Sequence, residues 1–298
     1  MDYMDNRKGI MDIDPAAGRR TRAPAGGLIR GAIRTLVVGV VAVLAVGCQS
    51  VQTTRPGAIG VDRKQMMMVS AEKVDEGAKV AYGKELDKAR AAGALNSDKA
   101  VYDRVQRISQ RLIPQTAVFR PDATAWNWEV NVQTSEDVNA YCMPGGKIMV
   151  YTGLIDVIQP TDAELAAVIG HEIAHALREH SRERLSRAYA EQMLLAGVAV
   201  AAGGEPLTME LANQVSAVTF TLPHSRGQET ESDRIGLEIM ARAGYDPNAA
   251  VTLWQKMSKA SSGGPPEFLS THPSGESRIR DLEKNVPRVV PLYQAAAK

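Results

Sequence analysis

The amino-acid sequence predicts an α+β domain, mostly helical with a small sheet. Two observations carry this. Several long segments place apolar residues at helical spacing and end at a cap or a proline, and only two short runs alternate as strands do. Of 298 residues, 44% are hydrophobic and 23% charged, ordinary values for a chain with a sizeable core. A formal charge of +1 from 35 basic and 34 acidic residues offers no basic face for nucleic acid, so no such partner is expected. Two cysteines exclude a disulfide framework.

In chain order, residues 1–47 hold seven basic and four acidic residues, leaving 28 and 30, net −2, for the rest. The uncharged run 35–47 that follows Arg34 has thirteen residues. As a helix it reaches about 20 Å at ~1.5 Å per residue, short of a hydrocarbon core of ~30 Å. A basic start, a short apolar run and a small-residue end read as a secretory signal peptide over 1–47. Ala45-Val46-Gly47-Cys48 resembles a bacterial lipobox, which implies that Cys48 is lipidated and anchors the chain to a membrane on the periplasmic side. Gln49 after it, in place of Asp, favours the outer membrane. Residues 48–65 are polar, contain Pro56 and show no periodicity, so they are expected as a tether to a domain over 66–298.

Residues 70–92, rich in Ala, Lys and Glu, are expected as a helix ending at Gly93. A second helix over 97–113 is expected with Ser97 as cap, Pro114 as stop, and Val101, Val105, Ile108 and Leu112 on one face. Residues 126–133 alternate as a half-buried strand, and 147–151 follows as another through the turn Pro144-Gly145-Gly146. Thr161-Asp162-Ala163-Glu164 is a capping box that opens a helix running to Arg187. The apolar stretch 193–204 is too short to span a bilayer and reads as a buried helix or hairpin. Further helices are expected over 228–243, 247–260 and 274–285, the last two separated by a loop at 261–266.

The capped helix carries His171-Glu172-Ile173-Ala174-His175. Histidines at i and i+4 project from one face, so both imidazoles can reach one metal ion. Glu172 lies about 100° round the helix, beside the metal, where it can take a proton from activated water. A catalytic zinc needs a third protein ligand and an open position. The candidates are Glu229 and Asp233, again i and i+4 on an expected helix: one can ligate while the other accepts the outer N–H of a ligand histidine. Glu231 points elsewhere and is the weaker ligand candidate.

His171-Glu172-x-x-His175, then Ser225-Arg226-x-x-Glu229-x-Glu231-x-Asp233, then Thr271-His272-Pro273 with Arg278, resembles the M48 metallopeptidases, which include Ste24-like, HtpX-like and Oma1-like members. The segment 139–146 is also similar to the family's stretch before the active-site helix. The resemblance covers roughly 66–285. It implies a zincin-like metalloprotease domain with one zinc per chain, bound by His171, His175 and Glu229. It further implies Glu172 as the base and Asp233 as the support of a ligand histidine. The multiple membrane spans of some members are absent, which leads us to expect a tethered version. The chain ending near 298 leaves no room for the C-terminal helical repeats of others.

All five histidines lie between 171 and 272. His272 is expected to approach the metal, stabilising an oxyanion or plugging the open position at rest. Arg278 is expected to bind the oxyanion or a substrate carboxylate, or to form a structural ion pair. His180 and His224 are set aside as ligands, and Cys142 reads as a small buried filler. An extended substrate is expected to pair with a strand edge at 147–151, with Asn139 and Ala140 beside it. These expectations describe a lipid-anchored zinc endopeptidase acting on misfolded or stalled envelope proteins. One rival is an envelope chaperone or assembly factor whose zinc site is plugged or vestigial. Another is a cell-wall amidase, for which no sugar-binding signature is present.

Overall fold

The computed structural model describes residues 49–201, 211–220, 223–260, 267–273 and 275–296. The expected signal peptide, the expected lipidation site Cys48, the loop 261–266 and the end of the apolar stretch at 202–204 lie outside the described residues. Among those described, the order is β1 (Gln49–Val51), β2 (Gln65–Met67), α1 (Ala71–Ala91), α2 (Lys99–Leu112), two 3₁₀ turns (Ile113–Val118 and Pro121–Ala125), then β3 (Glu129–Gln133), β4 (Ala140–Met143) and β5 (Lys147–Tyr151). The helices α3 (Thr152–Ile158), α4 (Asp162–Leu177), α5 (His180–Ala201), α6 (Leu211–Phe220), α7 (Arg226–Arg242), α8 (Asn248–Ala260), α9 (Glu267–Thr271) and α10 (Glu276–Ala296) complete it. The architecture is the expected α+β one, with helices far outweighing a three-stranded sheet.

Helix α1 forms where expected and stops before Gly93 at φ +66°; Ser70 is its cap, the Lys73 N–H donating to Ser70 Oγ. The cap of α2 is Asp98 instead of Ser97: Val101 N–H donates to Asp98 Oδ1 at 3.0 Å, while the Ser97 hydroxyl is bonded to Thr134. Strand β3 begins three residues later than expected. Trp126 and Trp128 stack on each other at 5.5 Å, and Trp128 Nε1 donates to Ala123 O, which holds them out of the ladder.

The sheet order is β3–β5–β4, with β3 parallel and β4 antiparallel to β5. The expected edge at 147–151 is therefore the central strand, buried at every position, and the free edge is β4. Strand β4 was not expected because its residues Ala-Tyr-Cys-Met are all buried and give no alternation.

The capping box of α4 forms as expected, but the helix ends at Leu177 and not at Arg187. Glu179 adopts φ +50°, and a new helix, α5, leaves from His180. Buried Arg178 holds this corner by donating to Glu231, to Thr54 Oγ1 and to Arg63 O. The backbone of α5 stays helical into the apolar stretch as far as Ala201, and no described helix is long and apolar enough to cross a membrane. Helix α7 starts at Arg226, two residues early, because Ser225 and Gln228 form a second capping box. Helix α10 runs past the expected end at Asn285 and through Pro287 and Pro291, with Leu282, Val286 and Val289 on its buried face. The lost ladder bonds are compatible with that packing.

The segment expected as a tether is built into the domain. Gln49 pairs with Met67 and Val51 with Gln65, Ile59 and Val61 are buried in the main core, and Ala58 N–H donates to Glu238 Oε2 at 2.7 Å. Its lack of periodicity reflects irregular packing on a surface supplied by other elements.

Helices α4 and α7 cross at Gly170 and Gly236. A Cβ at Gly236 would lie 2.8 Å from His171 N and 2.9 Å from Gly170 C, and one at Gly170 would lie 3.1 Å from Gly236 O. Both neighbours are backbone, so neither can move aside. Gly236→Ala should cost about 1–3 kcal/mol of stability, read from urea unfolding, and should weaken metal binding. Gly227→Ala, whose added Cβ meets only Ser225 Oγ at 3.9 Å, is the control and should do neither.

Candidate metal centre

One glycine contact places two helices so that their ligand-bearing faces meet. His171 and His175 come from α4, and Glu229 and Asp233 come one turn apart from α7. His272 arrives just after α9, its N–H donating to Phe268 O and its ring stacked on Phe268. One donor atom from each of His171, His175, Glu229 and His272 lies within 4.8 Å of all the others, and all four residues are buried.

The separations are those of a small tetrahedral site. His175 Nε2 is 3.0 Å from His171 Nε2 and 3.3 Å from Glu229 Oε1, and His272 Nδ1 is 3.1 Å from Glu229 Oε1 and 3.3 Å from His171 Nε2. Ligands about 2.0–2.1 Å from a tetrahedral zinc stand about 3.3 Å apart. The outer nitrogens are also engaged. His171 Nδ1 is 3.0 Å from Asp233 Oδ1, and His175 Nδ1 is 2.8 Å from His180 Nδ1. The two Nε2 atoms face each other across a short gap beside a carboxylate, where they can converge on one cation. A divalent cation that prefers nitrogen and oxygen ligands fits this donor set.

The ionisations agree. Burial pulls the His171 imidazole down, but Asp233 and Glu229 outweigh it and hold it at about 9. Burial drives His175 well below its ordinary value, which leaves it neutral. Glu229 is also resisted by burial, yet His272, Arg278 and the two ligand histidines hold it well below the carboxylate range. Burial raises the carboxyl of Glu172. Its Oε1 has no hydrogen-bond partner and stands 3.6 Å from His272 Nε2.

Arg278 takes the structural side of its two expected roles. Its guanidinium grips both oxygens of Asp233 at 2.7 and 2.6 Å, reaches Glu229 Oε2 at 2.5 Å and lies 3.7 Å over the ring of Trp254. Asp233 therefore supports His171 while being held itself. His180 and His224 lie nearer the centre than expected. His180 meets the outer nitrogen of His175, and the His224 ring stacks on His272 and lies 3.9 Å from that of His175. Glu231 does point away from the metal side, towards His180 at 3.1 Å.

A cleft beside this cluster is lined by Asn139, Ala140, Cys142, Glu172, His224 and His272, among others. At about 20 Å³ it has room for roughly one water and not for a peptide. Because Tyr151 N–H bonds to Asn139 O, the alternation of an antiparallel ladder turns the backbone of Ala140 and Cys142 to the free edge of β4. Cys142 is buried, and its thiol is pushed well above its ordinary value by that burial, as suits an inert filler. Sequence reasoning missed the roles of His180, Trp254 and Arg63. The crowding of every histidine into one stretch was the available signal for the first.

Residues 100–286 match the family model described as Peptidase family M48. The chain is 41% identical over 156 residues to the mitochondrial metalloendopeptidase OMA1 of Arabidopsis thaliana, covering 52% of this chain and 31% of that protein. It is 37% identical over 185 residues to the Schizosaccharomyces pombe OMA1, covering 61% and 52%. It is 28% identical over 226 residues to the beta-barrel assembly-enhancing protease of Yersinia pestis, covering 70% and 44%. The chain thus spans about a third to a half of the length of these curated relatives.

Two outcomes are expected at this centre. Asp233→Asn should weaken zinc binding roughly 10–100-fold in competition with a chromophoric chelator. Because His171 must lose its proton to ligate, zinc affinity should rise with pH up to about 9, with proton release visible as a buffer-dependent heat of binding.

Proposed function

The chain belongs to peptidase family M48, and on that premise we propose that it is a zinc-dependent endopeptidase acting on misfolded or stalled proteins of the cell envelope. The observation that carries the chemistry is the buried convergence of His171, His175, Glu229 and His272, with the unpartnered Glu172 carboxylate facing the adjoining cleft.

His171, His175 and Glu229 would hold the zinc, one ion per chain. Zinc there supplies a Lewis acid that polarises a peptide carbonyl and brings the pKa of water towards about 7. Glu172 accepts the proton of the attacking water and returns it to the leaving amine nitrogen. Asp233 and Arg278 keep His171 in the tautomer whose Nε2 is free to ligate. An extended substrate adds as a strand along β4, using the outward-facing backbone at Ala140 and Cys142, with Asn139 beside it in the wall of the cleft. Main-chain pairing of this kind tolerates many sequences and suits unfolded substrates. His272 occupies a corner of the ligand set at rest and must move aside before a peptide enters a cleft of this size.

The envelope setting is supported by the signal-peptide and lipobox pattern ahead of residue 49 and by likeness to a relative named for enhancing β-barrel assembly. The placement of His272 among the ligands also supports a second reading, an envelope chaperone or assembly factor with a permanently plugged site.

Purified protein should cleave unfolded casein, and a chelator should stop it. Glu172→Gln should keep its zinc while turnover falls by about 10²–10⁴ or more. If Glu172→Gln restores growth of a deletion strain under envelope stress as well as wild type does, the plugged-site reading replaces the protease. His272→Ala should retain zinc and bind peptide substrate at lower concentration, measured as a fall in KM.

A further inference from the structure

The outer nitrogen of His175 begins a buried chain of contacts that leads away from the metal side. His175 Nδ1 is 2.8 Å from His180 Nδ1, and His180 Nε2 is 3.1 Å from Glu231 Oε2. Glu231 is gripped by Arg178 at 2.9 Å and by Arg63 through Nε and Nη2. Arg63 also forks onto both oxygens of Glu183 at 2.7 and 2.9 Å. Gln65 and Gln228 donate to that second carboxylate at 3.1 and 3.0 Å. His180, Arg178 and Glu183 are completely buried.

The order of donors along this chain is set from its Glu231 end. Glu231 faces two guanidinium groups and acts only as an acceptor, so His180 Nε2 carries a hydrogen and donates to it. A neutral imidazole then has only a lone pair at Nδ1, which accepts from His175 Nδ1–H. His175 is thereby left with its lone pair at Nε2, on the side of His171 and Glu229. Removing His180 takes away the contact that, among the described residues, holds the hydrogen on His175 Nδ1.

Arg63 and Gln65 come from the segment between β1 and α1, which precedes the span matching the family model. We propose that His180 and Glu231 are positioning residues for the ligand His175. Arg63, delivered by the docked segment 49–67, locks them in place, so that docking of this segment and zinc binding reinforce each other. The coupling is reciprocal: whatever factor the docked segment adds to zinc affinity, bound zinc adds to docking. The inference rests on the metal-site reading above and extends it to the part of the chain next to the expected anchor.

The test uses the full chain carrying Glu172→Gln, which prevents self-cleavage. Zinc affinity is measured by chelator competition, and release of the 49–67 segment by limited proteolysis with and without zinc. His180→Ala should weaken zinc binding about 10–100-fold, and His180→Asn, whose amide oxygen can accept from His175, should recover much of the loss. Arg63→Ala, at a side chain already 36% exposed and so tolerant of truncation, should weaken zinc binding at least about fivefold. It should also abolish the protection that zinc gives the segment, with Arg63→Lys intermediate. If the parent binds zinc and both alanine variants match it within about twofold, the inference is overturned while the metal site stands. If the parent binds no zinc, the metal-site reading falls and this inference with it.

Discussion

The centre depends on how closely two helices can approach. Gly170 and Gly236 leave α4 and α7 without a Cβ at their crossing, so backbone meets backbone beside His171. The distances between the α4 histidines and the α7 carboxylates depend on this contact. On α4 it brings His171 into the crossing and sets His175 one turn further on. On α7, Glu229, Asp233 and Gly236 share a face at spacings of four and three, so the glycine that permits the approach aligns both carboxylates. A methyl group at Gly236 would meet the backbone at His171 itself.

Such an approach encloses many charges, and their arrangement shows how the cost is met. Burying a lone carboxylate or guanidinium is expensive, and the expense is offset only where partners and hydrogen bonds are complete. Asp233, Glu229 and Arg278 form one compensated group, with Trp254 under the guanidinium. Glu231, Glu183, Arg178 and Arg63 form a second, on the far side of His175. Each metal histidine is thus backed by its own ionic cluster, one reaching α10 and the other the N-terminal segment. Glu172 is the exception. Its Oε1 makes no hydrogen bond, stands 3.6 Å from His272 Nε2, and belongs to a residue lining the cleft.

Much of this was legible in the residues. The capping box at Thr161, the pair of histidines one turn apart and the Glu229/Asp233 spacing are local patterns, and local geometry is all they need. The elements that were misread share one cause. Strand β4 is short and buried on both faces, so it lacks the alternation that marks a strand. The break after Leu177 is made by Arg178 reaching Glu231, Thr54 and Arg63, partners distant in sequence. Residues 49–65 show no period because their order comes from partners contributed by Phe119, Arg178, α5, α7 and α10. The role of Arg278 stayed open because an arginine near a metal motif serves equally as a substrate clamp or an ion-pair partner until its neighbours are known.

By itself, then, the sequence determined which groups could share a metal: two imidazoles flanking a carboxylate on one helix turn, and a carboxylate pair on another helix. Those are consequences of 3.6 residues per turn and need no fold. Only the tertiary structure decided which strand offers a free edge, that His272 closes the ligand set, that Arg278 secures Asp233, and that His180 orients His175. The first three rest on contacts between residues far apart in the chain, and the last on Glu231, 51 residues beyond the His180 it holds. Such contacts are set by helix approach and by the pairing of buried charge, neither of which leaves a period in the sequence.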